Sequence, residues 1–193
     1  MLSRTFKLSL IGALTICCSS EHSEKDEKDM GLNRPERISS DIPEVANQYG
    51  RMVGDWKCSV KSFNNDSITG ESTASWKFDY ALNGHAVQDY WINPAEKDSA
   101  SQSQSIGTNL RVYNPDKGYW ECVWAENQGK SISGIWFSEM NSENELLLYD
   151  ESGDWVITFF DIQNNHFSWM WEILNPKGCL EKRVTIDAKK IES

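Results

Sequence analysis

Gly107-Thr108-Asn109-Leu110-Arg111-Val112-Tyr113-Asn114-Pro115-Asp116-Lys117-Gly118-Tyr119-Trp120-Glu121-Cys122-Val123-Trp124-Ala125-Glu126 is the stretch that decides the fold. Two runs rich in aromatic and β-branched residues flank Asn114 to Gly118, where Pro115 has a fixed φ and Gly118 admits a positive one. The pattern predicts an antiparallel hairpin with strands over 107–113 and 119–126. Alternate residues of a strand share a face. Trp120, Cys122, Trp124 and Glu126 therefore lie together, opposite Tyr119, Glu121, Val123 and Ala125. On the partner strand Asn109, Arg111 and Tyr113 oppose Thr108, Leu110 and Val112.

The same pattern repeats outward in both directions. Further strands are predicted over 56–63, 70–80, 85–92, 132–138, 145–150, 154–161, 166–173 and 179–187. Turn residues separate them: Asn64-Asn65-Asp66, Asn83-Gly84, Asn127-Gln128-Gly129, Ser152-Gly153, Asn164-Asn165 and Asn175-Pro176-Lys177-Gly178. Only Asn93 to Ser105 is a longer connection, rich in Ser and Gln, and a mobile loop is expected there. Short loops require antiparallel neighbours, because a parallel crossover needs a dozen or more residues. Ten such strands predict an all-β antiparallel barrel, since closure removes exposed edges. Before the first strand, 43–53 has room for a short helix, with Asp41 placed to cap it and Pro43 in its first turn.

Several of these segments resemble one known family. Gly54-Asp55-Trp56 is similar to the Gly-x-Trp opening of lipocalin-like barrels. Leu82 to Trp91, Gly107 to Pro115 and Gly118-Tyr119-Trp120 resemble an uncharacterised bacterial family of lipocalin-like domains with a Gly-Thr-x-Leu-Arg-x-Tyr-x-Pro strand. The resemblance covers 45–187 and implies a calycin-like barrel without implying an activity. Asn175-Pro176-Lys177-Gly178-Cys179 departs from the Gly-rich turn of such domains, which leaves the shape of the last hairpin open.

The N-terminus has a different character. Arg4 and Lys7 precede an apolar run, Leu8 to Ile16, that ends at Cys17-Cys18. The run is too short to span a bilayer and is read as a signal peptide over 1–17. Leu14-Thr15-Ile16-Cys17 resembles a bacterial lipobox, which implies lipidation at Cys17 (or Cys18), an outer-membrane lipoprotein and membrane attachment through that lipid; ordinary cleavage is the alternative. An acidic flexible tether is expected over 18–42, because Ser19 to Asp29 has nothing apolar to offset its ordering entropy. The domain itself is expected over 43–190.

The chain has a formal net charge of −10 and no basic stripe, which argues against a nucleic-acid partner. Beyond the signal it carries Cys58, Cys122 and Cys179, enough for one disulfide and a spare thiol, or for three free buried thiols. No metal-spaced histidines, nucleophile elbow or phosphate loop occurs, so no catalytic residue, metal or cofactor is assigned. His85 and Asp89 share a face but stand about 13 Å apart along a strand, too far for a dyad.

Nine tryptophans remain to be explained. Phe167, Trp169 and Trp171 share one strand face, as Trp120 and Trp124 do. Either they pack the core or they wall a lumen for a small apolar or amphipathic ligand. In the second case Trp124, Trp169 and Trp171 are walls and Arg111, if inward, is a polar anchor that needs Asp89, Glu126 or Glu172 as partner. Three functions stay open on this reading: an envelope-tethered binding module, an enzyme using one of those carboxylates as acid or base, and a solid barrel with a structural role.

Overall fold

The computed structural model describes residues 36–95 and 103–192. The signal region, Cys17, Cys18, most of the acidic tether and the middle of the 93–105 connection lie outside the described residues. Asn33–Ser193 forms one compact unit.

Eleven strands run β1 (Gly54–Asn64), β2 (Ser67–Ala81), β3 (Ala86–Asn93), β4 (Ser105–Asn114), β5 (Tyr119–Glu126), β6 (Ser131–Ile132), β7 (Trp136–Met140), β8 (Leu146–Tyr149), β9 (Trp155–Phe160), β10 (His166–Leu174) and β11 (Leu180–Lys190). Every neighbouring pair is antiparallel. Ten strands form a closed lipocalin-like barrel: β1 pairs with β11, and β4 pairs with β5 to shut the ring. The short β6 is an appendage on the end of β5, and it splits the run expected as one strand over 132–138.

Turn chemistry follows the residue types. Asn65 and Asp66 both hold positive φ between β1 and β2, as do Gly118 and Gly153 at their hairpins. After β5 the positive φ falls on Lys130, one residue past the expected Gly129. The departing turn before β11 is held by the Asn175 carboxamide: its Oδ1 accepts from the N–H groups of Lys177 and Cys179 at 2.9 and 3.0 Å. Asn175 thus does there what a Gly-rich turn would do by backbone freedom alone.

The expected helix over 43–53 is instead two 3-10 turns, Glu44–Ala46 and Tyr49–Met52. Asp41 makes no side-chain cap; Pro43 occupies the cap position. Packing overrides local helix chemistry at this point, because the segment is pinned to the barrel by side chains beneath it. The indole N–H of Trp120 donates to Ala46 O at 2.9 Å, that of Trp56 donates to Met52 O at 2.7 Å, and Tyr49 Oη pairs with Ser138 Oγ at 2.7 Å. Ile42 is buried and Ile38 packs against the core, so residues before 43 already belong to the packed domain. Gly84, at φ 86°, lets that segment cross: a Cβ there would sit 2.6 Å from Arg37 O and Ser39 N.

The core is asymmetric along the barrel axis. Trp56, Phe78, Trp120, Leu146, Phe159 and Phe167 fill the end beneath the 3-10 turns, with Tyr49 standing edge-on to Trp120 and Phe159. Both thiols on this inner surface, Cys58 and Cys122, are buried and unbonded, while Cys179 is free and exposed. Among the described residues no disulfide forms, and the third thiol is not buried.

Candidate functional site

Above that packed end the barrel is hollow. A cavity of about 530 Å³ opens between the strands, lined by seven of the nine tryptophans: Trp76, Trp91, Trp124, Trp136, Trp155, Trp169 and Trp171. Strand alternation accounts for the set. Trp76 faces Trp91 across the β2–β3 register, and Trp169 and Trp171 sit two apart on β10. Ring pairs brace one another edge to face, with Trp76–Trp91 centroids 5.1 Å apart and Trp136–Trp155 4.9 Å apart. Such contacts hold large side chains against the wall instead of letting them collapse inward.

One wall position depends on a glycine. A Cβ on Gly107 would lie 2.1 Å from Cζ2 of Trp124, so the indole lies flat against the β4 backbone there. The glycine of the Gly-Thr-x-Leu-Arg strand is thus explained by close approach, with no need for a special φ. Sequence reading missed Gly107; an isolated glycine inside a strand was the available signal.

Arg111 points inward and forms part of the floor. Its Nη2 donates to Asp89 Oδ2 at 2.7 Å, and both side chains are closed to solvent, at 2% and 0% exposure. Asp89 Oδ1 accepts from the Asn109 N–H at 2.9 Å, so both carboxylate oxygens are engaged. The guanidinium carbon lies 4.6 Å from the centre of the Tyr49 ring and 5.5 Å from that of Phe78. Burial pushes the Asp89 carboxyl upward while the guanidinium pulls it back. Burial opposes the charge of Arg111, yet Asp89, together with Tyr49 and Cys122, raises its affinity for the proton above the ordinary value. The pair is ionic because arginine keeps its proton and the carboxylate has two charge-stabilising donors. Arg111 Nε and Nη1 and Asn109 Oδ1 are buried without partners among the described residues.

The other sequence candidates separate here. Trp124, Trp169, Trp171 and Glu126 line the cavity along with Asp89 and Arg111. Glu172 does not: it lies on the opposite side of β10 from Trp171, beside the irregularity between those two residues, and is not the partner of Arg111. Glu126 stands toward the open end, where its Oε1 accepts from the Gly129 N–H at 3.1 Å. Asn127 secures the same rim, exchanging hydrogen bonds with Ile106 and donating from Nδ2 to Gln104 O at 3.0 Å. His85 is outside β3, capping a 3-10 turn, and has no part in the cavity lining. His166 pairs with Asp187 at 3.0 Å, away from that lining.

With Arg111 and Asp89 paired to each other, Glu126 is the carboxylate of the lining that has no ion-pair partner among the described residues. The arrangement offers an apolar, aromatic chamber with a mostly polar rim.

No family model matches the sequence, and no curated protein matches it. Among solved structures the fold is similar to an S-type phycobiliprotein lyase from Guillardia theta, with a TM-score of 0.54 at 9% sequence identity. The likeness covers 75% of this chain and 91% of that one, and at this identity it concerns the fold alone.

Proposed function

We propose that this protein is a binding module whose barrel holds a small apolar or amphipathic molecule. The observation that carries the reading is the chamber of about 530 Å³ walled by seven indoles. A volume of that order matches the usual range for small-molecule sites. The similar solved barrel is named a lyase of phycobiliproteins, which agrees with a fold used to handle a small molecule. The saturation of Asp89 favours binding over acid–base catalysis.

The N-terminal pattern supports a position at the bacterial envelope as a lipoprotein attached through Cys17 or Cys18, and the Gly-Thr-x-Leu-Arg strand supports kinship with the lipocalin-like domains it resembles. Replacing both cysteines by serine tests the address: loss from the membrane fraction is expected, and unchanged fractionation refutes lipidation. For binding, native mass spectrometry of protein incubated with an envelope lipid extract should show a discrete adduct, and the tryptophan emission should shift with it. Absence of both refutes the reading.

A further inference from the structure

The charge and chemistry of the chamber restrict what it can hold. Resting on the binding reading above, we infer that the occupant is an amphipathic cation: a compact apolar body carrying a protonated or quaternary amine.

Arg111 is the one basic residue in the cavity lining. It is already spent, since Asp89 takes its Nη2 and the rings of Tyr49 and Phe78 flank its carbon. Its remaining Nε and Nη1 are buried without partners among the described residues, and the side chain as a whole is closed to solvent. An anionic head entering from the mouth therefore meets no available cation among the described residues of the lining. It meets Glu126, which has no ion-pair partner among the described residues. With Asp89 and Arg111 cancelling, the lining retains the single negative charge of Glu126.

The walls reinforce that sign. An indole carries partial negative charge on its ring face and is the strongest aromatic partner for an ammonium group. The chamber has seven of them. A neutral apolar molecule would gain the burial but make no use of either the ring quadrupoles or Glu126. Long-range attraction acts in the same sense, because the whole chain has a formal charge of −10.

The test uses the full-length protein and three shape-matched probes in equilibrium dialysis: trimethyl(naphthalen-2-ylmethyl)ammonium, its uncharged carbon isostere 2-neopentylnaphthalene, and 2-naphthylmethanesulfonate. The cation is expected to bind at least tenfold more tightly than the neutral isostere, with the sulfonate weakest. Glu126→Gln keeps an acceptor for the Gly129 N–H and should fold; it is expected to weaken the cation three- to tenfold and leave the neutral probe within twofold. Trp169→Leu should shrink the preference for cation over isostere. Equal or tighter binding of the neutral or anionic probe overturns the inference while leaving the binding reading intact. A cation preference unchanged in both variants also overturns it. Retention of none of the three probes removes both readings.

Discussion

Asp89→Asn is the perturbation with the largest predicted effect, because it removes a charge and almost nothing else. Asparagine keeps the shape and the acceptor for the Asn109 N–H, now at 2.9 Å. It leaves Arg111 charged, 2% exposed and without its 2.7 Å partner. Breaking a buried pair from one side costs about 3–5 kcal/mol, against which the ring contacts of Tyr49 and Phe78 return about 1 kcal/mol. The net loss is therefore about 2–4 kcal/mol, a fall in Tm on the order of 10 °C for a chain of this size. Arg111→Met should behave differently with pH. It strands Asp89, whose carboxyl burial already pushes upward. The folded variant then keeps that proton to a higher pH than the unfolded chain does. Its stability is greatest below the ordinary aspartate range near 3.9 and falls as pH rises above it. The double variant D89N/R111M carries no buried charge and should lose less than the sum of the singles by about 2 kcal/mol or more. Urea unfolding followed by tryptophan emission measures all four corners of the cycle. An Asp89→Asn loss under 1 kcal/mol, or strict additivity in the double variant, refutes the account of the floor.

Gly107→Ala should displace the Trp124 indole, whose Cζ2 would lie 2.1 Å from the new Cβ, at a cost of about 1–3 kcal/mol; adding Trp124→Leu should recover most of it, as urea unfolding of the pair would show. Trp120→Phe removes the 2.9 Å donor to Ala46 O and should cost about 1–3 kcal/mol, with faster amide exchange across 44–52 as the specific readout. Thiol mapping by mass spectrometry should find Cys179 modified in native protein, and Cys58 and Cys122 only in denaturant. Burial holds both inner thiols up to about 12, above the unfolded value near 8.5. Only the unfolded chain ionises them between those limits, so their contribution to stability is complete below about pH 8.5 and is lost as pH climbs toward 12. A stability plateau from pH 8 to 11.5 in a chain lacking neither cysteine would contradict this.

Much of the architecture was legible in the residues. Ten strands, their antiparallel order and most of the turns follow from alternation and from Asn, Gly and Pro at reversals, which act over a few residues. Which side chains share a face followed as well: Trp169 and Trp171 stand two apart in the sequence and share the chamber in space, but which face of a strand turns inward was not legible there. Local signals were overruled where distant residues intervened. The segment over 43–53 has helix-compatible residues, but Trp56 and Trp120 take its carbonyls and leave two 3-10 turns.

By itself the sequence determined a closed antiparallel barrel rich in tryptophan, because strand period and turn chemistry are properties of short segments. Which end is filled and which is hollow depended on the tertiary structure alone. That choice rests on the 3-10 turns burying their own Tyr49 and Met52 in one end, and on edge-to-face indoles holding each other at the wall. The sign of the chamber was decided there too. An inward Arg111 needed one of three carboxylates; folding set Asp89, 22 residues away along the chain, against it and left Glu126 without an ion-pair partner among the described residues. Pairing between strands brings together charges that no local pattern relates, and it is those contacts that set which ligands the barrel can take.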